Sequence, residues 1–99
     1  MHTIITKFTL VKPLDQELLR KVERELFMRA KELYPGFLGA QLVQLSETET
    51  VSLSFFESRE ALDEVSSKLA GPWFAENVRP LLAGPVQRMV GEVVARFGP

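Results

Sequence analysis

The chain has 99 residues, 45% of them apolar and 25% charged, with a net charge of −1 and no cysteine. That length describes one domain with one modest core, and the matched charges offer no long-range attraction to polyanions, so nucleic acid is not an expected partner. Without cysteine there are no disulfides, thiolate metal sites or thiol nucleophiles.

No stretch reaches the roughly 18 consecutive apolar residues that a membrane span requires, so no membrane partner is expected. The opening "MHTIITKFTLVKPLDQ" has no basic segment followed by a long apolar run, so a signal peptide is not expected and the chain reads as cytoplasmic. Residues 1–99 read as a single domain, with no repeat, linker or low-complexity stretch.

In chain order, "TIITKFTLV" (3–11) is rich in β-branched and aromatic residues and predicts a strand ending before Pro13. Asp15 is placed to cap a helix, in which Leu18, Leu19, Val22, Leu26, Ala30 and Leu33 recur on the apolar side. Glu17–Lys21 and Glu25–Arg29 are spaced as i,i+4 pairs on the other side, and "YPG" (34–36) stops the helix. "FLGAQLVQL" (37–45) and "TVSLSFFES" (49–57) predict two strands joined by a polar tip.

Ser58 caps a second helix over 59–69, with Ala61, Leu62, Val65 and Leu69 inward. Gly71-Pro72 predicts a break, followed by a short separate helix at roughly 73–79 that Pro80 ends. Val-rich "VQRMVGEVVARF" (86–97) predicts the last strand.

The order β-α-β-β-α-β predicts an α+β, ferredoxin-like sandwich: a four-stranded antiparallel sheet with both helices on one face. Alternation along the strands assigns Val51, Leu53 and Phe55 to the helix side, with Phe8, Phe27 and Phe74 filling the same layer. Ile5, Val11, Phe37, Val43 and Phe56, interspersed with Thr9, Gln41, Ser52 and Ser54, fall on the side away from the helices. An apolar sheet face in water is a large patch for a monomer, so a two-fold homodimer that hides it is expected.

"YPGFLGAQLVQL", "VSLSFFESREALDEV" and "GPWFAENVRPLLAGPVQ" together resemble the antibiotic biosynthesis monooxygenase domain family, a likeness running from about residue 3 to 95. The resemblance implies a dimeric α/β barrel. It also implies activities that range from cofactor-free oxygenation of aromatic polyketides and quinols to haem breakdown. The haem-degrading branch uses an Asn in the first strand, a Trp in the second helix and a His in the next short helix. The corresponding positions here are Thr6, Val65 and a residue near Val78, and none matches. His2 is the only imidazole, and Met28 and Met89 read as core filler, so haem is the less favoured ligand and no cofactor is expected.

For cofactor-free oxygenation the resemblance points to Asn, Trp, Tyr, His or Arg side chains between sheet and helices. The candidates here are Thr6, Tyr34, Trp73, Asn77 and Arg88. Each has a structural alternative. Trp73 suits a core aromatic as well as a substrate platform, Asn77 a capping amide, Tyr34 a half-wet helix end, and Arg88 an ion pair across a dimer. Thr6 interrupts the apolar stripe Ile4, Phe8 and Leu10, where a polar group needs a partner. Glu57 and Glu92 read as solvated strand ends, and no His or carboxylate cluster has metal-ligand spacing.

Two functions remain. One is an oxygenase acting on a small aromatic or quinone-like molecule. The other is a non-catalytic dimeric ligand-binding or accessory protein on the same scaffold. A helix–sheet cavity of roughly 300 Å³ or more favours the first, and a fully packed layer the second.

Overall fold

A computed structural model of the chain describes residues 1–98. Four strands, β1 (His2–Thr9), β2 (Phe37–Gln44), β3 (Glu49–Phe56) and β4 (Gln87–Glu92), form one sheet in the order β2-β3-β1-β4. Every neighbouring pair is antiparallel, and two long helices cross one face. This is the ferredoxin-like arrangement that the element order predicts.

The first helix, α1, runs over 16–33. Asp15 caps it as expected, its carboxylate accepting from the Leu18 amide at 2.8 Å. Its middle, Val22–Met28, has the wider π spacing, which adds a residue to the turn and moves the later positions out of phase. Ala30 remains buried, but Leu33, expected inward, is 51% exposed. The two expected i,i+4 ion pairs of this helix do not form among the described residues. Glu25 instead accepts from Trp73.

The second helix, α2, spans 59–77 without interruption, capped by the Ser58 hydroxyl on the Ala61 amide at 3.1 Å. The expected break at Gly71-Pro72 does not occur, because Ser66–Ala70 adopts π spacing. The Gly71 amide reaches back five residues to the Ser66 carbonyl, and a Cβ at Gly71 would lie 2.7 Å from that oxygen. Glycine is what lets the wide turn close, and the helix then runs past the proline. A short 3-10 turn, Arg79–Leu81, containing Pro80, follows.

Strand pairing fixes which residues share a face, since residues directly opposite point the same way. Ile4 lies across from Ser54 and Val90, Thr6 from Ser52 and Arg88, and Phe37 from Phe56. Ile4 and Phe56 are buried with Ala30, Leu62 and Val65 beneath the helices, so Ser52, Ser54, Phe37 and Phe56 are on the helix side. Alternation had put these four on the far side. The far side in fact carries Val51, Leu53 and Phe55, across from Lys7, Ile5 and Thr3, with Met89 on the other side of Ile5. Ile5, Val43 and Gln41 lie there as expected, whereas Val11 falls beyond the end of β1.

Two further differences concern the ends of the sheet. His2 is a paired residue of β1, across from Phe56 and Glu92. β4 ends at Glu92 rather than near 97, because its partner strand begins at His2 and beyond it offers only the Met1 carbonyl, which accepts from the Val93 amide at 2.9 Å. Phe97 is fully exposed.

Candidate functional site

The core is divided in two. One cluster gathers Phe8, Leu10, Leu18, Val22, Trp73 and Val78, the other Ile4, Ala30, Phe56, Leu62 and Val65. Members of both line a cavity of about 640 Å³ between sheet and helices.

The sheet provides the floor. Leu42, Ser52, Thr6 and Arg88 form a row across all four strands, each residue directly opposite the next. Ser54 lies one step along β3 on the same face. The floor therefore combines three hydroxyls with one guanidinium in a largely apolar lining.

The roof comes from the π-spaced parts of both helices and the turn beyond. Val22, Leu26 and Phe27 descend from α1, and Ser66, Ala70, Trp73 and Phe74 from α2. π turns often occur at functional sites, and both helices here carry one over the cavity. Phe74 meets Phe8 edge-on, with ring centres 5.7 Å apart, and Phe37 and Phe56 make a similar contact at 5.7 Å. Exposed Asp63, Ser67, Arg79 and Arg88 mark the mouth. Asp63 is occupied by Arg59 at 3.2 Å, while Arg88 makes only a long contact to the Ser66 hydroxyl at 3.5 Å.

Of the five candidate residues, Thr6, Trp73 and Arg88 line the cavity, whereas Tyr34 and Asn77 do not. Trp73 is buried at 8% exposure, with its ring nitrogen 3.0 Å from Glu25 Oε1. Asn77 donates to the Trp73 carbonyl at 3.0 Å, within its own helix. Tyr34 packs beside the Phe56 cluster where α1 ends. Ser52, Ser54 and Arg79 are cavity residues that sequence reasoning missed. The spacing Ser-x-Ser on a strand opposite Thr6 was the available signal.

The same fold recurs in solved structures. The fold is that of the antibiotic biosynthesis monooxygenase-like proteins. A variant of SnoaB, a cofactor-independent oxygenase from Streptomyces nogalater, superposes with a TM-score of 0.76 at 14% identity, over 99% of this chain and 97% of that one. The monooxygenase ActVA-Orf6 of Streptomyces coelicolor, in complex with nanaomycin D, gives 0.70 at 22% identity, over 99% and 91%. A variant of MhuD with two manganese protoporphyrin IX bound per active site gives 0.72 at 24% identity, over all of both chains. No family model matches the sequence, and neither does any curated protein.

A porphyrin-sized ligand poses a chemical question that the lining answers. Haem iron takes an axial donor such as His, Cys, Met or Tyr, and none of these borders the cavity among the described residues. His2, the single imidazole, lies outside that lining. Among the described residues no group of three or more His, Cys, Asp or Glu is placed to hold a metal, and no helix is long and apolar enough to cross a membrane.

Proposed function

We propose that this chain belongs to the antibiotic biosynthesis monooxygenase-like proteins and is a cofactor-independent monooxygenase. It binds a small aromatic or quinone-like molecule between sheet and helices. The observation that carries this reading is the cavity of about 640 Å³, largely apolar, with a row of hydroxyls and a guanidinium on its floor, Ser66 on its roof, and Ser67, Asp63 and Arg79 toward its mouth. Ligand sites commonly have this size and this mixture of surfaces. SnoaB is a cofactor-independent oxygenase with the same fold, and ActVA-Orf6 is a monooxygenase of that fold that holds nanaomycin D; both support this reading.

Such a substrate carries a methylene or phenolic carbon that becomes electron-rich once its proton leaves. Its oxidation to the carbonyl level gives four electrons to O₂, and the two hydrogens that it loses, the first of them as that proton, end in water. One oxygen atom stays as a new carbonyl and the other departs as water. The protein's task is to hold the ring system, exclude bulk water, and stabilise the negative oxygen that forms on the substrate. Thr6, Ser52 and Arg88 are the donors available for that oxygen. Trp73, Phe27 and Phe74 supply flat apolar walls.

The assembly is a homodimer. Val51, Leu53 and Phe55 on β3 join Ile5 and Met89 in an apolar strip on the sheet face that the helices leave open, and a second copy of the same face covers it.

Oxygen uptake with anthrone and with reduced naphthoquinones tests the activity. Uptake by the protein, weakened by Thr6→Val or Arg88→Leu, is the expected result. Binding without uptake points to the second reading, a dimeric ligand-binding or accessory protein. That reading draws on the lack of a free general base, since Asp63, the one carboxylate among the described lining residues, is tied to Arg59. Neither binding nor uptake overturns both.

A further inference from the structure

Trp73 borders two spaces. It lines the helix–sheet cavity, and it also borders a groove of about 370 Å³ between the outer surfaces of the helices, shared with Arg24, Glu25, Arg29, Glu32 and Leu69. The indole is the partition between the two. Its ring nitrogen donates to Glu25 Oε1 at 3.0 Å, and Glu25 belongs to the groove and not to the cavity lining.

Two consequences follow from that bond. A ring with a cavity on one side lacks packing partners there, so dispersion contacts alone hold it less firmly than they hold a fully enclosed side chain. The carboxylate provides a second, directional restraint. The bond also commits the indole N–H to the groove side, so the cavity meets the ring as an apolar wall. Polar recognition of a ligand is then left to Thr6, Ser52 and Ser54 on the floor, Ser66 on the roof, and Asp63, Ser67 and the two arginines at the mouth.

Glu25 is free to do this because of where it lies. It falls in the π-spaced segment Val22–Met28, the same stretch that turns Val22, Leu26 and Phe27 into the cavity. No cation lies within ion-pair distance of its carboxylate among the described residues, although Arg29 is spaced for one.

We propose that Glu25 is a positioning residue: it locks Trp73 as the apolar wall of the ligand cavity and keeps that wall closed to the outer groove. The role in ligand binding rests on the cavity being the site described above. The locking of the ring does not.

Trp73 is the only tryptophan, so fluorescence excited at the red edge of tryptophan absorption, where the single tyrosine does not absorb, reports this ring alone. The test compares the full chain with Glu25→Leu and Glu25→Gln. Thermal melting verifies folding, acrylamide quenching measures access to the indole, and menadione is the binding probe. Glu25→Leu removes the acceptor. It is expected to shift the emission and at least double the quenching constant, and to weaken menadione binding about fivefold, the scale of one lost hydrogen bond. Glu25→Gln keeps an acceptor oxygen and is expected to restore the wild-type emission and quenching. Unchanged emission and quenching in folded Glu25→Leu would overturn the proposal, as would a Gln variant that behaves like the Leu variant. If menadione binds no form of the protein, the ligand reading of the cavity fails, while the quenching data still decide whether Glu25 locks the ring.

Discussion

The Asn77 side-chain amide donates to the Trp73 carbonyl oxygen at 3.0 Å, one turn back along α2. The two residues are neighbours without being partners in the cavity, because Asn77 closes the last turn of its helix while Trp73 lines the cavity. Their substitutions should therefore separate. Asn77→Ala is expected to lower stability by about 0.5 kcal/mol, a partly exposed hydrogen bond, and to leave menadione binding intact. Trp73→Ala removes a buried aromatic and the bond to Glu25, for a loss of about 3 kcal/mol. Urea unfolding of both variants checks the pair, and a binding defect in Asn77→Ala would put its amide at the ligand after all.

Phe56 and Leu53 are three residues apart and lie on opposite faces of β3. Phe56 is 2% exposed in the core, so Phe56→Glu, a charge without a partner in an apolar interior, should prevent folding rather than merely split a dimer. Leu53 pairs with Ile5 and Gln41 on the open face. Leu53→Glu is expected to yield a folded monomer, read by sedimentation and circular dichroism. A dimer that survives this change would place the interface elsewhere.

Thr6 and Ser52 lie side by side on the cavity floor, and neither hydroxyl makes a side-chain hydrogen bond among the described residues. Thr6→Val keeps the shape and removes the donor. Menadione binding is expected to weaken about three- to tenfold, one hydrogen bond's worth, with the melting temperature unchanged or raised. Equal binding by wild type and variant would remove Thr6 from the site.

Much of this architecture was legible in the sequence, and the failures share a cause. Caps, turns and strand order are local, so Asp15, Ser58 and the run of elements could be read directly. The face of β3 could not. Its more apolar side, Val51, Leu53 and Phe55, was matched to the helices on the premise that a helix-covered face is packed. A cavity reverses that premise, because a floor that borders open space rather than packed side chains can carry Ser52 and Ser54 while the apolar set faces outward. The π turns were equally hidden. Gly71-Pro72 looks like a stop signal unless the widened hydrogen bonding ahead of it is known. In the candidate site, Thr6, Trp73 and Arg88 could be named by residue type, but Ser52 and Ser54 needed the cross-strand register and Glu25 the packing of one helix on another.

Thr50 is 1% exposed and its hydroxyl has no hydrogen-bond partner among the described residues. A buried hydroxyl in that state carries a desolvation penalty that nothing offsets. Thr50→Val has nearly the same shape, keeps a β-branched residue in a strand, and removes the polar atom. It is expected to raise stability by about 1 kcal/mol, measured as a higher urea midpoint with an unchanged slope. A loss of stability would mean that an ordered water satisfies the hydroxyl.

Gly71 offers a test whose sign is unusual. In an ordinary helix interior Gly→Ala stabilises by about 1 kcal/mol, since alanine restricts the unfolded chain and favours helix. Gly71 has an ordinary helical backbone, at φ −61, so dihedral strain gives no reason for the opposite result. The obstacle is the π turn, which brings the Ser66 carbonyl oxygen to 2.7 Å from where the Cβ would sit. That oxygen accepts the Gly71 amide, so neither atom can withdraw without breaking the bond. Gly71→Ala is therefore expected to destabilise by about 1–3 kcal/mol, the range of overpacked sites. The damage should reach the cavity as well, because Ser66, Ala70 and Trp73 flank this turn and line its wall. A red-shifted Trp73 emission and weaker menadione binding should accompany the lower melting temperature. If the variant is instead more stable than wild type, α2 passes the proline with normal α-helical spacing and the wide turn is not part of the fold.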